Sequence, residues 1–171
     1  MSPMRYFFTI FVLGLLGVLI QGTFFRFFLS ASFVPHLLLL LTLYLAFYET
    51  SVLGVFLSFF LGLLLDLSTG LLLGPWAASF VVVYCFLSLV SDRIFVESGL
   101  AAVVISFFST IGLHIVHFLL ATNLRPALSE WGSGALIQGV MTGICAPFLF
   151  HLFRRLFHDR RGGVRASYGG A

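Results

Sequence analysis

Long apolar stretches alternate with very short polar breaks along the whole chain. Six apolar tracts can be marked, at residues 6–25, 33–48, 51–65, 75–89, 98–121 and 135–157. Glu49-Thr50 is the only polar interruption between the second and third, which predicts a tight hairpin. Ser68-Thr69-Gly70 and Gly74-Pro75 part the third from the fourth, and Ser91-Asp92-Arg93 the fourth from the fifth. The longest break runs from Asn123 through Arg125-Pro126 to Gly134. Pro35 and Pro75 open the second and fourth tracts, and proline suits a first helical turn. A helix needs about 20 apolar residues, within roughly 17–25, to cross a bilayer. Tracts two to four sit at or below that range, so they either extend past these bounds or do not cross fully. The pattern predicts an all-α polytopic membrane bundle of six transmembrane helices, with five as the alternative.

Composition fixes the class. Of the 171 residues, 60% are hydrophobic and 9% charged, with mean hydropathy +1.13. A soluble domain carries about 25% charged residues. The 22 Phe residues suit lipid-facing helix surfaces. Residues 1–157 read as a single transmembrane domain, and 158–171 as a basic, Gly-rich cytoplasmic tail expected to be disordered. The N-terminal apolar run of about 20 residues exceeds a signal-peptide core of roughly 7–15 and is read as a retained helix. No internal repeat stands out.

The net charge of +3 comes from nine Arg and no Lys against six acids. Placement points to topology rather than nucleic acid. With six spans, Arg5, Arg93, Arg154, Arg155, Arg160, Arg161 and Arg165 share one side, and Arg26 and Arg125 the other. That bias puts both termini in the cytoplasm. Five spans would keep the C-terminus inside and move the N-terminus out. Arg26 is expected to snorkel to head groups. Cys85 and Cys145 lie in apolar tracts with no zinc or redox spacing and read as free buried thiols.

The candidate chemistry centres on one acid. Gly54, Ser58, Gly62 and Asp66 recur every four residues, a narrow small-residue stripe on one helix face ending in a carboxylate. Such a stripe lets another backbone approach closely in a bilayer. An acid at mid-membrane costs about 2.5–3.5 kcal/mol on insertion scales, and less near the interface. Two readings stand. In one, the stripe is ordinary packing and Asp66 sits at the water interface near the outer end of its helix. In the other, it docks a partner helix and Asp66 accepts hydrogen bonds that fix the register. Gly70 and Gly74 continue the spacing and suit tight turns with φ > 0, or a re-entrant segment.

Other polar groups are sparse. His114 and His117 share a helix face, a pair read as polar packing rather than a metal or haem site. Gly139 and Gly143, with Gln138 beside them, form a packing face within the chain or against a second copy. Gly14, Gly17 and Gln21 give a similar face on the first tract. His36 reads as a satisfied interface residue. Catalytic signatures are missing. Gly132-Ser133-Gly134 lacks the spacer of a serine-protease motif, Asp66 has no acidic counterpart on another tract, and no His-Glu-x-x-His occurs. The expectation is a protein without enzymatic activity, cofactor or metal.

The block Val34-Pro35-His36-Leu37 through Thr42-Leu43-Tyr44, then Gly54, Gly62, Asp66, Gly70 and Leu73-Gly74, resembles the bacterial rod shape-determining MreD family. A Pro-led helix with a Tyr, a short break, a Gly-x-x-x-Asp segment and a Leu-Gly pair carry the likeness, over about residues 33–80. His36 departs from it, since relatives often carry an acid after the proline. The resemblance implies a non-enzymatic inner-membrane scaffold of the cell-elongation machinery. It would bind an MreC-like single-span protein and help couple MreB filaments to peptidoglycan synthases. Partner-packing or structural candidates are then Pro35, Tyr44, Gly54, Ser58, Gly62, Asp66, Gly70, Gly74, Gly139 and Gly143. MreD-like proteins also look similar to the six-helix substrate-binding subunits of energy-coupling vitamin transporters. That makes small-molecule binding the rival reading. Against it, the loops on the outer side are short and offer few polar side chains, Asn123, Arg125, Glu130 and Trp131 being the only cluster, and the stripe lacks the convergent polar groups a ligand pocket needs.

Overall fold

A computed structural model describes residues 3–25, 27, 33–49, 51–70, 73–91, 99–120 and 128–157. Among them every regular element is a helix. Helix α1, Pro3–Leu19, runs on as a π-helical segment, Ile20–Phe25. Then follow α2, Leu37–Tyr48; α3, Val52–Thr69; α4, Pro75–Ser91; α5, Gly99–Leu120; and α6, Leu128–Leu156. Four segments are long and apolar enough to cross a membrane: Met4–Thr23, Val52–Thr69, Gly99–Leu120 and Gly132–Leu156. The other two helices, α2 and α4, are 12 and 17 residues long.

The shortest helix is the centre of the bundle. Residues 38–46 of α2 are all buried, and α2 packs against each of the other five helices. A helix that is apolar all round is buried all round. The closest helix pairs are α3 with α4 and α5 with α6. Phe8, Phe56, Phe86, Phe108 and Phe148 stay exposed on the outer surface, as expected of a lipid-facing belt. Inside, Thr42, Ser58, Ser79 and Thr110 return their hydroxyls to the carbonyl four residues back, so these polar groups are satisfied without a partner helix.

Several boundaries differ from the sequence reading. Pro35 does not open α2: the helix begins at Leu37 with His36 as its cap residue. The His36 N–H is drawn to Thr142 Oγ on α6 at 3.0 Å, which holds the chain out of helical conformation there. Pro75 does open α4. Helix α3 runs on to Thr69 and reaches 18 residues. Helix α6 starts at Leu128, within what read as a loop. Pro147 sits inside α6. Both thiols are free, but Cys85 is exposed rather than buried. The tail from 158, and the side chains of Arg26, Asn123, Arg125, Glu130 and Trp131, lie outside what is described.

At the end holding the termini, Tyr44 is buried in an aromatic cluster with Tyr48, Phe150, Phe153 and Phe157 at centroid distances of 4.5–6.3 Å. Arg154 Nε donates to the Tyr48 hydroxyl at 3.1 Å, joining α6 to α2.

Candidate functional site

Asp66 is buried within the protein, 1% exposed. Its carboxylate receives three backbone N–H groups from the start of α4. Gly74 and Ala77 donate to Oδ2 at 3.0 Å each, and Trp76 donates to Oδ1 at 3.1 Å. The first N–H groups of any helix lack internal partners. Here a side chain from the preceding helix supplies them, as an N-cap does but across a tertiary contact. The positive end of the α4 dipole adds to the attraction.

The turn between the two helices is built for this contact. Gly70 adopts φ +66° and ends α3 with its N–H on the Asp66 carbonyl, at 3.1 Å. Gly74 adopts φ +118°, a conformation closed to other residues. Proline at 75 has no N–H to satisfy, so the donors fall at 74, 76 and 77.

The small-residue stripe packs against α4 of the same chain. A Cβ added at Gly62 would stand 2.5 Å from Ala77 Cα and 2.8 Å from the Trp76 carbonyl oxygen, both backbone atoms. At Gly54 it would collide with the Tyr84 hydroxyl, which donates to the Glu49 carbonyl and, at 3.3 Å, to that of Ser51. Ser58 lies between them, fully buried. Gly139 and Gly143 likewise face α5: a Cβ would lie 3.1 Å from Phe107 Cδ2 and 3.2 Å from the Val103 carbonyl. On α1, Gly14 faces Leu61 and Gly17 faces Leu38. These glycines serve contacts inside the chain.

A second feature lies beside the carboxylate. Alternating helix directions bring the end of α1, the start of α2, the end of α3, the start of α4, the second half of α5 and the first half of α6 to one end of the bundle, away from the termini. There they enclose a pocket of about 260 Å³ whose lining includes Gln21, His36, Thr69, Trp76, His114 and Gln138. Gln138 Nε2 donates to the Val34 carbonyl at 2.8 Å, and its Oε1 meets His114 Nε2 at 3.0 Å. The Thr142 hydroxyl donates to the Gln138 carbonyl at 2.7 Å and accepts the His36 N–H. Trp76 stacks on His117, with centroids 3.8 Å apart and planes 17° apart, and lies 5.7 Å from the His36 ring.

Not all of this polarity is paired. Gln21 Nε2 lies 3.5 Å from His36 Nδ1, a long contact. Gln21 Oε1 and His36 Nε2 are buried with no hydrogen-bond partner among the described residues. His36 is itself buried, and its Nε2 is not satisfied by any described residue. Gln21, His36, His114 and Gln138 are each visible in the sequence as isolated polar residues. Helix alternation was the signal that would have joined them, and it answers the objection that convergent polar groups are lacking. The cluster places no three metal-ligating side chains together among the described residues.

Away from the pocket, α4 and α5 leave an apolar crevice of about 490 Å³. Val82, Phe86, Val104, Phe108, Ser109 and Gly112 are among its walls, and the space beside Gly112 is open.

Five helices around a buried central one, a belt of exposed phenylalanines and an internally capped hairpin define a polytopic helical membrane protein. The family described as rod shape-determining protein MreD matches residues 1–156, nearly all of the chain, which belongs to that family. No curated protein and no solved structure matches it.

Proposed function

We propose that this protein, whose family membership gives it a role in rod-shape determination, acts there as a non-enzymatic scaffold of the inner membrane, with both termini in the cytoplasm. It holds an MreC-like single-span protein and through it links MreB filaments to the peptidoglycan synthases. The observation that supports this reading is the α4–α5 crevice. Its walls are apolar, and Ser109 and Gly112 offer the low profile that lets a second transmembrane helix come close. The stripe from Gly54 to Asp66 has a different task in this reading: it keeps α4 fixed so that the crevice holds its shape.

The test is co-purification in detergent with the MreC-like protein of the same organism. The two are expected to co-elute, and Gly112→Leu is expected to release the partner while the thermal midpoint does not fall. If they never co-elute, the scaffold reading fails. If Gly112→Leu retains the partner fully, the docking surface lies elsewhere.

One observation favours a second reading, small-molecule binding as in a vitamin-transporter subunit. Polar groups from α1, α2, α5 and α6 converge on a pocket with a tryptophan wall. A thermal-shift screen with vitamins tests it, a large specific shift being the supporting result.

A further inference from the structure

Among the described residues that line the α4–α5 crevice, Ser109 alone has a polar side chain. The inference drawn from it rests on the scaffold reading. Ser109 stands at the middle of the 22-residue α5, about 15 Å from either end at 1.5 Å per residue. That is mid-membrane, since the hydrocarbon core is about 30 Å thick. A serine or threonine in a membrane helix commonly returns its hydroxyl to the carbonyl four residues back. Thr110 does so, to Ser106 at 2.7 Å. Ser109 does not: among the described residues its hydroxyl has no hydrogen-bond partner. Ser106 Oγ, one turn earlier, is also unpaired but is sealed inside the bundle. Ser109 keeps 8% of its surface, and that surface opens on the crevice.

Hydrocarbon cannot satisfy that hydroxyl. A lipid chain lying in the crevice would leave it unbonded, and water does not reach this depth. At the same depth the exposed faces of α1 and α6 present Val12, Leu15, Leu16, Val140, Ile144 and Phe148, so a second copy docking by either face brings carbon where a hydrogen bond is needed. A partner's transmembrane helix can supply the bond, because hydroxyl and amide side chains pair across helices. Gly112, three residues on, shares the Ser109 face, and the open space beside it lets that helix come close. We propose that the crevice receives a partner's transmembrane helix that sets a Ser, Thr, Asn or Gln side chain against the Ser109 hydroxyl.

The experiment titrates the full chain in detergent with the MreC-like protein of the same organism and reads the dissociation constant. Ser109→Ala is expected to weaken binding roughly three- to tenfold, the worth of one hydrogen bond between membrane helices. The hydroxyl has no bond inside the chain, so the thermal midpoint of the protein alone is expected to hold. Each Ser, Thr, Asn and Gln of the partner's span is then changed to Ala. One of these changes is expected to cost as much as Ser109→Ala and to add nothing when combined with it. Should Ser109→Ala fail to fold, Ser109→Cys, close in shape but a weak donor, takes its place. A midpoint that falls in both variants assigns the hydroxyl to the chain's own packing and overturns the proposal. So does a loss of binding with no coupled partner residue. Binding that survives at Ser109 but is lost in Gly112→Leu overturns the hydrogen bond and leaves the scaffold reading standing. Binding unchanged by every variant, the behaviour of a groove filled by lipid, removes the crevice as the dock. Self-association lost in Gly112→Leu, with partner binding intact, gives the crevice to a second copy and overturns the proposal. No binding to the unaltered protein overturns the proposal and the scaffold reading together.

Discussion

The α3–α4 junction and the adjoining pocket make an instructive pair, because they share a residue and differ in how their polar groups balance. Trp76 gives its backbone N–H to Asp66 and its ring to the pocket wall. On the junction side, one carboxylate meets three donors, and the glycines opposite let backbones touch. On the pocket side, two buried groups have no partner and the space between helices stays open. A buried polar group in a bilayer fixes structure when its bonds are complete. When they are incomplete the group costs stability instead.

The largest effect that would break this contrast is at Asp66. Asp66→Leu leaves three N–H groups without an acceptor, so a loss of about 3 kcal/mol or more is expected. Asp66→Asn can place its carbonyl oxygen where Oδ2 sits and keep the Gly74 and Ala77 bonds, costing about 1 kcal/mol. Thermal midpoints in detergent rank the two variants. Equal loss from both would assign the effect to charge rather than to hydrogen bonding.

Gly62→Ala comes next. The added Cβ meets backbone atoms that cannot rotate away, so α4 must shift, at about 1–3 kcal/mol. The same measurement checks it, and an unchanged midpoint would mean that the hairpin is looser than the contact distances require. Gln138→Leu is smaller: it frees the Val34 carbonyl and one bond of His114, for about 1–2 kcal/mol. A loss matching that of Asp66→Leu would erase the distinction between junction and pocket. Smallest is Gly112→Ala, where nothing stands within 4 Å. Helix propensity alone predicts a gain of up to about 1 kcal/mol, and a loss would mean that the crevice is filled from within the chain.

How much of this the sequence carried follows from the range of each signal. The apolar tracts located all six helices, since composition and length act locally. The four-residue spacing of Gly54, Ser58, Gly62 and Asp66 revealed a close-packing face, and the glycines at 70 and 74 a turn with φ > 0. What spacing does not encode is the partner. The stripe read equally as a dock for another protein, whereas its neighbour is the next helix in the chain. The burial of Asp66 was hidden for the same reason, because the donors that make it tolerable lie 8–11 residues downstream. The pocket was least legible. Gln21 and His36 are 15 residues apart and His114 and Gln138 are 24 apart, each unremarkable until four helices are set side by side. The start of α6 was missed because Gly132 and Gly134 look like loop residues while the helix runs through them.

The burial of α2 has a consequence for how the protein comes to exist. At 1.5 Å per residue, its 12 residues cover about 18 Å, well short of the roughly 30 Å hydrocarbon core. Alone in lipid, it would leave its ends in hydrocarbon or thin the bilayer around itself. It has no face reserved for lipid, and its five neighbours come from both sides of it in the sequence. Its environment is therefore complete only after α6 has been synthesised. The five earlier helices cannot complete its surroundings until the last one closes around the second. Truncation from the C-terminus thus threatens the middle of the molecule before it threatens the end.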